Sequence, residues 1–190
     1  MVSKKEDSTR TWDDTLPSFH VLLNISRDTR YYWTLASRKR VAEVVLLLQR
    51  INGRYLVHTK GFYPADTWRL MTGGVHPGED PAEAALRETN EETGLMARLE
   101  RPLARIDYDF VNDAATLTFT SYLYRLRELG GELCAVDASE AITGYREVGQ
   151  DELQELAEKL EALQGDDWAD WGRFRAVAHR IAYQLLTGAE

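Results

Sequence analysis

Apolar and polar positions change period several times along this chain, and each change marks an element. Val41 to Gln49 is a run of β-branched residues and leucines, suited to a buried strand. Asn52-Gly53 is a hairpin turn signal, and Tyr55 to Thr59 reads as the return strand. A loop containing Pro64 leads to a short strand at Trp68 to Met71. The period then becomes helical. Ala82, Ala85, Leu86, Thr89 and Thr93 fall on one side at helix spacing, which predicts a buried face. Asp80 is suited to the N-cap, Pro81 to the first helical position and Glu83 to a capping box, while Gly94 supplies a stop. Before this helix lies a glycine-rich turn, Gly73 to Gly78. After it, Ala97 to Phe110 carries strand-like segments broken at Pro102, Val111 to Asp113 reads as a turn, and Thr116 to Leu126 alternates as a strand. Gly130-Gly131 marks a loop and Ile142 to Val148 a strand. Two amphipathic helices follow. Asp151 to Leu163 carries a leucine stripe, and Trp168 to Leu186 carries Trp171, Phe174, Val177, Ile181 and Leu185. Strands, one central helix, then terminal helices make an α+β mixed-sheet sandwich rather than a doubly wound fold.

Composition narrows this to a globular domain. The 190 residues are 44% hydrophobic and 28% charged, enough apolar content for one core. The longest apolar stretch, Val44 to Leu48, is far short of the roughly 20 residues a bilayer span requires. A formal net charge of -8 gives no general attraction for nucleic acid or anionic lipid. A phosphate ester would need a local cation. The single cysteine, Cys134, excludes an internal disulfide and is expected to be a buried thiol. No apolar signal core follows the N-terminus, so a cytoplasmic location is expected. His20, His58, His76 and His179 show no ligand spacing and read as surface or packing residues. Any metal is therefore expected to be held by oxygen, which favours Mg2+ or Mn2+.

The central helix carries the candidate chemistry. Glu88, Glu91 and Glu92 stand at i, i+3 and i+4 and are expected to project from neighbouring points of one surface. Like charges at that spacing repel by a few tenths of a kcal/mol. Carboxylates in the last turns also face the negative end of the macrodipole, at a cost of roughly 0.3–1 kcal/mol each. A bound divalent cation would offset both. Gly73, Gly74 and Gly78 allow close backbone approach to a metal or a phosphate.

Together these residues resemble the Nudix box, which runs here as Gly73, Glu79, Arg87-Glu88, Thr89, Asn90, Glu91-Glu92, Thr93, Gly94, Leu95. Each charged and glycine position of the family pattern is present at its spacing. Thr89 replaces the commoner aliphatic residue, and Thr72 stands where the family more often has glycine. The resemblance implies a Nudix-type α/β/α sandwich with a mixed β-sheet over 39–165, preceded by an N-terminal extension (1–38) and completed by a C-terminal helix (166–190). It also implies a hydrolase that cleaves the diphosphate linkage of a nucleoside diphosphate joined to another moiety, by water attack on phosphorus with Mg2+ or Mn2+. By position, Glu88, Glu91 and Glu92 match the metal-ligand carboxylates, with a backbone carbonyl near Thr72 or Gly73 as a further ligand. Arg87 and Glu79 match the residues that orient them, and Gly94 the structural glycine. The general base is Glu88 within the box or a later loop carboxylate, with Glu140 and Asp113 as candidates.

Outside the box, Arg69, Trp68 and Tyr108, with Lys60 and Tyr63, are the candidate substrate contacts. The alternative is a nucleotide-sensing module on the same fold without turnover. The C-terminal helices are acidic and aromatic rather than basic, so stable nucleic-acid binding is not expected. A homodimer built on the extension and the last helix is compatible with either activity.

Overall fold

The computed structural model describes residues 16–29, 33, 42–113, 115–166 and 168–188. Among the described residues there are seven strands: β1 (Ser18–Asn24), β2 (Ala42–Gln49), β3 (Tyr55–Lys60), β4 (Met71–Val75), β5 (Leu95–Asn112), β6 (Ala115–Gly131) and β7 (Ile142–Val148). Among the described residues the helices with established bounds are α1 (Pro81–Thr93), α2 (Gln150–Glu161) and α3 (Ala169–Thr187). The strands form one sheet in the order β1-β5-β6-β2-β3-β7, with β4 paired to β2. The β1/β5 and β2/β6 pairs are parallel and the others antiparallel, so the sheet is mixed.

Alternation divides the sheet into two cores. Val45, Leu47, Val57, Leu70, Ile106 and Phe110 pack with Leu153, Phe174 and Ile181 of α2 and α3. Val44, Leu46, Leu48, Leu56, Met71 and Val75 pack with Ala84 and Ala85 of α1. Seven of the eight residues of β2 are buried because it is covered on both faces, which is why its sequence is a continuous apolar run. The result is the expected α+β arrangement of helices on both faces of a mixed sheet. Among the described residues no helix is long and apolar enough to cross a membrane.

Several boundaries differ from expectation. β1 carries no strong local signal, since its residues are alternately exposed and half-buried, and it is held by parallel pairing along β5. Residues 73–75 are strand rather than turn: Gly73 pairs with Val44 and Gly74 with Glu43. Gly130 and Gly131 likewise end β6, opposite Met96 and Leu95. Asn112 pairs with Ala115, so the turn there is tighter than Val111 to Asp113. Pro102 does not end its strand; register shifts on either side accommodate it. The Cys134 thiol is exposed, because the segment after β6 runs over the surface rather than through the core.

Candidate functional site

The site is built on α1. The Asp80 carboxylate caps the helix by accepting a hydrogen bond from Ala82 N–H at 2.7 Å, and Pro81 begins it. Gly94 ends it in the left-handed region at φ 67°, where an added Cβ would press on the Glu132 and Cys134 carbonyls. The last-turn carbonyls are not left open. Cys134 N–H donates to Thr93 O at 2.9 Å, and Val136 N–H to Glu91 O at 3.0 Å. Thr89 and Thr93 suit the buried face because their hydroxyls donate to carbonyls one turn back, Ala85 O and Thr89 O.

The helix buries Ala85, Thr89 and Thr93 and packs Ala82 as its apolar positions suggest, with one departure at Leu86 and two added carboxylates. Leu86 is exposed, whereas Glu88 and Glu92 are buried together with Thr89 and Thr93. The three box carboxylates therefore do not share one open surface. The Glu91 side chain is 43% exposed, that of Glu88 10% and that of Glu92 0%. They form a graded set from solvent to interior.

Arg87 organises the outer half. Its Nε donates to Glu79 Oε1 at 2.8 Å and its Nη1 to Glu88 Oε1 at 2.8 Å and Glu91 Oε2 at 2.9 Å. Its Nη2 reaches Gly74 O at 2.9 Å and Glu79 Oε2 at 3.1 Å. The guanidinium thus ties α1 to β4 and to the loop between them. Arg87 holds Glu79 below the usual carboxylate range, and Glu79 in turn raises the Arg87 pKa. Glu88 is shifted upward by burial, against the pull of Arg87.

The inner half is formed by α1 and β3. Lys60 Nζ lies 2.5 Å from Glu140 Oε2 and 3.4 Å from Glu92 Oε1. Glu140 ends a 3-10 turn, Ala138–Glu140, and the next residue, Ala141, takes a left-handed φ of 53°. Its carbonyl accepts from Gly61 N–H, so the turn is fastened beside Lys60. Burial pushes the Glu92 carboxyl up to about 7, although Arg69 and Lys60 pull the other way. Both Glu92 oxygens lack a hydrogen-bond partner among the described residues. The Tyr145 hydroxyl donates to the Glu92 backbone carbonyl. Arg69 is buried and donates to Tyr63 Oη, Leu70 O and Thr72 Oγ1.

Gly73 faces this cluster from β4. A Cβ there would overlap Glu88 Cγ and Cδ, so only glycine lets that carboxylate lie along the strand. Among the described residues no three carboxylate, imidazole or thiolate groups converge on one point. Arg87 draws Glu88 and Glu91 outward while Lys60 stands beside Glu92. Even so, the donor set fits a hard divalent cation. Three carboxylates lie on adjacent helix positions, one of them buried without a hydrogen bond, beside a glycine strand that leaves room for Glu88.

Arg69 thus joins the cluster, but two other candidate contacts do not. Tyr108 is 1% exposed in the core on the opposite face of the sheet, stacked on Phe110 and edge-on to Phe174. It cannot serve as a substrate contact, because the strand alternation that buries Ile106 and Phe110 buries it too. Trp68 packs toward that same core and lines a groove with Lys159, Leu160 and Leu163 of the α2 region. Asp113 lies at the β5–β6 turn beside Ile25 and Ser26, in a different surface hollow. His58 was legible only as a surface or packing residue, and Tyr145 only as part of the Ile142 to Val148 strand. The signal for His58 was its i, i+2 spacing to Lys60, which puts both on one face of β3.

A box helix whose buried carboxylates face a glycine strand of a mixed sheet defines a class, and comparison with known proteins agrees. The NUDIX domain family model matches residues 37–171, and the chain belongs to the Nudix family. A Mycobacterium tuberculosis protein carrying the name MutT4 is 33% identical over 148 residues, 77% of this chain and 51% of that protein. An RNA pyrophosphohydrolase from Erythrobacter litoralis is 38% identical over 65 residues, 34% of each chain. The chain therefore spans about half the length of the first relative and a third of the second. A solved UDP-X diphosphatase shares the fold with a TM-score of 0.53 at 18% identity, covering 87% of this chain and 73% of that one.

Proposed function

We propose that this Nudix protein is a divalent-metal-dependent hydrolase that cleaves a diphosphate linkage in a nucleotide-derived substrate. The observation that carries the reading is the buried Glu92 carboxylate beside Glu88 and Glu91, which accepts no hydrogen bond among the described residues and has Lys60 at 3.4 Å as its ion pair. A buried carboxylate with one ion pair and no hydrogen bond is costly, and a bound cation would add the compensation that Lys60 and Arg69 supply only in part. A relative named RNA pyrophosphohydrolase, 38% identical over its matched third, points to the same reaction class.

In this reading Glu88, Glu91 and Glu92, with the Gly73 carbonyl, hold Mg2+ or Mn2+. The bound cation supplies Lewis-acid polarisation of the phosphoryl group and a more acidic water. Arg87 and Glu79 position the outer carboxylates. Lys60 and Arg69 supply positive charge for phosphate oxygens in a chain of net charge -8. Glu140, or Glu88 itself, accepts the proton of the attacking water, and the Lys60 contact holds the Glu140 carboxylate beside the cluster. Water adds to one phosphorus while the other phosphate departs with the bridging oxygen, and no covalent intermediate on the enzyme is required.

The test is a panel of nucleoside triphosphates, dinucleoside polyphosphates, ADP-ribose, NADH, nucleotide sugars and 5′-triphosphorylated RNA, assayed with Mg2+ and with Mn2+. Turnover of at least one is expected. Glu92→Gln and Glu91→Gln should each lower kcat, Glu92→Gln by about 10²-fold or more, with unchanged thermal melts. Saturable nucleotide binding without turnover under either metal would instead establish the sensing module.

A further inference from the structure

Among the described residues His58 is another buried side chain without a hydrogen bond. Its residue exposure is 0%, and neither ring nitrogen has a hydrogen-bond partner among the described residues. Burial, followed by the charges of Arg69, Lys60 and Arg175, lowers its pKa well below the ordinary value, so the ring is neutral and carries one N–H. A neutral imidazole left this way loses both a donor and an acceptor interaction, which native cores rarely tolerate without a use for the group.

Its place in the sheet points to that use. His58 shares a face of β3 with Leu56, which packs in the α1 core, and with Lys60. Two residues along, the Lys60 amine lies 3.4 Å from Glu92 Oε1. Directly across the β3–β7 ladder stands Tyr145, whose hydroxyl bonds the Glu92 backbone carbonyl. His58 is therefore flanked, along its strand and across it, by residues that touch Glu92. Among the described residues the imidazole N–H has no acceptor, and the carboxylate has the Lys60 ion pair on Oε1 but no hydrogen bond to either oxygen.

We infer that His58 is a positioning residue for Glu92, its ring N–H serving, directly or through one water, as the hydrogen-bond donor that keeps the carboxylate aimed when a divalent cation is held. A carboxylate bound to metal through one oxygen needs its other oxygen fixed, and such outer partners typically change metal affinity by about 10–100-fold. The inference rests on the proposed metal site and assigns it a residue outside the box. His58 stays within the protein interior and does not touch substrate.

The experiment is Mn2+ titration, read by electron paramagnetic resonance, of wild type, His58→Leu, His58→Gln, Glu92→Gln and the His58→Leu/Glu92→Gln double variant, with thermal melts alongside. His58→Leu should weaken Mn2+ binding about tenfold or more, with a melting temperature at or above wild type because an unsatisfied polar group is removed. His58→Gln, which keeps an N–H donor, should recover most of the affinity. In the Glu92→Gln background His58→Leu should change affinity by less than about twofold. If His58→Leu does not fold, His58→Phe, which keeps a ring against Tyr63 without a donor, is read in its place. Wild-type affinity in the apolar variant, or an undiminished loss on top of Glu92→Gln, overturns the inference alone. A wild-type protein that takes up no Mn2+ overturns the proposed function as well.

Discussion

At the scale of single residues the site depends on atoms that are missing as much as on atoms present. Gly73 sits in β4 opposite Val44, and the space of its absent side chain is filled by Glu88. Gly73→Ala should therefore push the carboxylate away from the strand rather than unfold the domain. The expected result is a loss of about 1–3 kcal/mol in urea denaturation, the usual range for overpacking, together with weaker Mn2+ binding. A variant with wild-type Mn2+ affinity would show that Glu88 does not need that cradle. Arg87 illustrates the opposite case. Three of its nitrogens serve Glu79, Glu88, Glu91 and the Gly74 carbonyl, so it restrains two candidate ligands and the loop at once. Lysine, with one donor centre, cannot reproduce that fork.

At the scale of elements, α1 is defined at both ends by local chemistry. The Asp80 carboxylate satisfies Ala82 N–H, and Asp80→Ala should cost about 1 kcal/mol. Gly94 is more constrained, since it combines a positive φ with close approach to two carbonyls of the segment after β6. Gly94→Ala should thus cost more than Asp80→Ala, about 1–3 kcal/mol, as measured by the urea midpoint. Equal losses would mean that the segment yields easily. The helix ends matter because the box carboxylates occupy the last two turns, where fraying would scatter them. The carbonyls of Glu91 and Thr93 accept from residues 134–137, so the same segment that forbids a Cβ at Gly94 also holds the ligand-bearing turn.

At the scale of the whole molecule, α3 reaches across the sheet to the site through His179. The ring Nε2 accepts from Leu70 N–H at 2.9 Å, and Nδ1 lies 2.9 Å from Arg175 O, so Nδ1 carries the proton. Protonating Nε2 would set a second N–H against the Leu70 N–H. Burial first, then the charges of Arg69 and Arg175, lowers this histidine to about 4 despite its bond to Arg175 O. In the unfolded chain it would titrate near the ordinary 6.5, so between about 6.5 and 4 the unfolded state binds the extra proton. Its contribution is complete above 6.5 and is lost as pH falls toward 4, for a total of about 3 kcal/mol. Stability measured by urea denaturation from pH 7.5 to 4.5 should fall less steeply in His179→Gln than in wild type. Comparing the two proteins cancels the overlapping titrations of His58 and Glu92. Parallel profiles would show that the buried ring is not held neutral.

The limits of α1, the spacing of its carboxylates, the buried character of β2 and the family itself were legible in the sequence. All rest on short-range signals: a cap, a proline, a glycine stop, an i, i+3, i+4 set, an unbroken apolar run. Tertiary structure alone decided which carboxylate is buried, because the packing of α1 on β4 and β5 takes in Glu88 and Glu92 beside the expected Ala85, Thr89 and Thr93 and leaves Leu86 out. It alone placed Tyr108 in the far core, drew β1 into the sheet and ran Gly73 and Gly130 as strand. The meeting of Lys60 and Tyr145 at Glu92, with His58 opposite Tyr145 in the sheet, was likewise invisible beforehand. It depends on the register between β3 and β7, strands more than 80 residues apart in the chain, and no local pattern encodes which residues such a pairing will oppose.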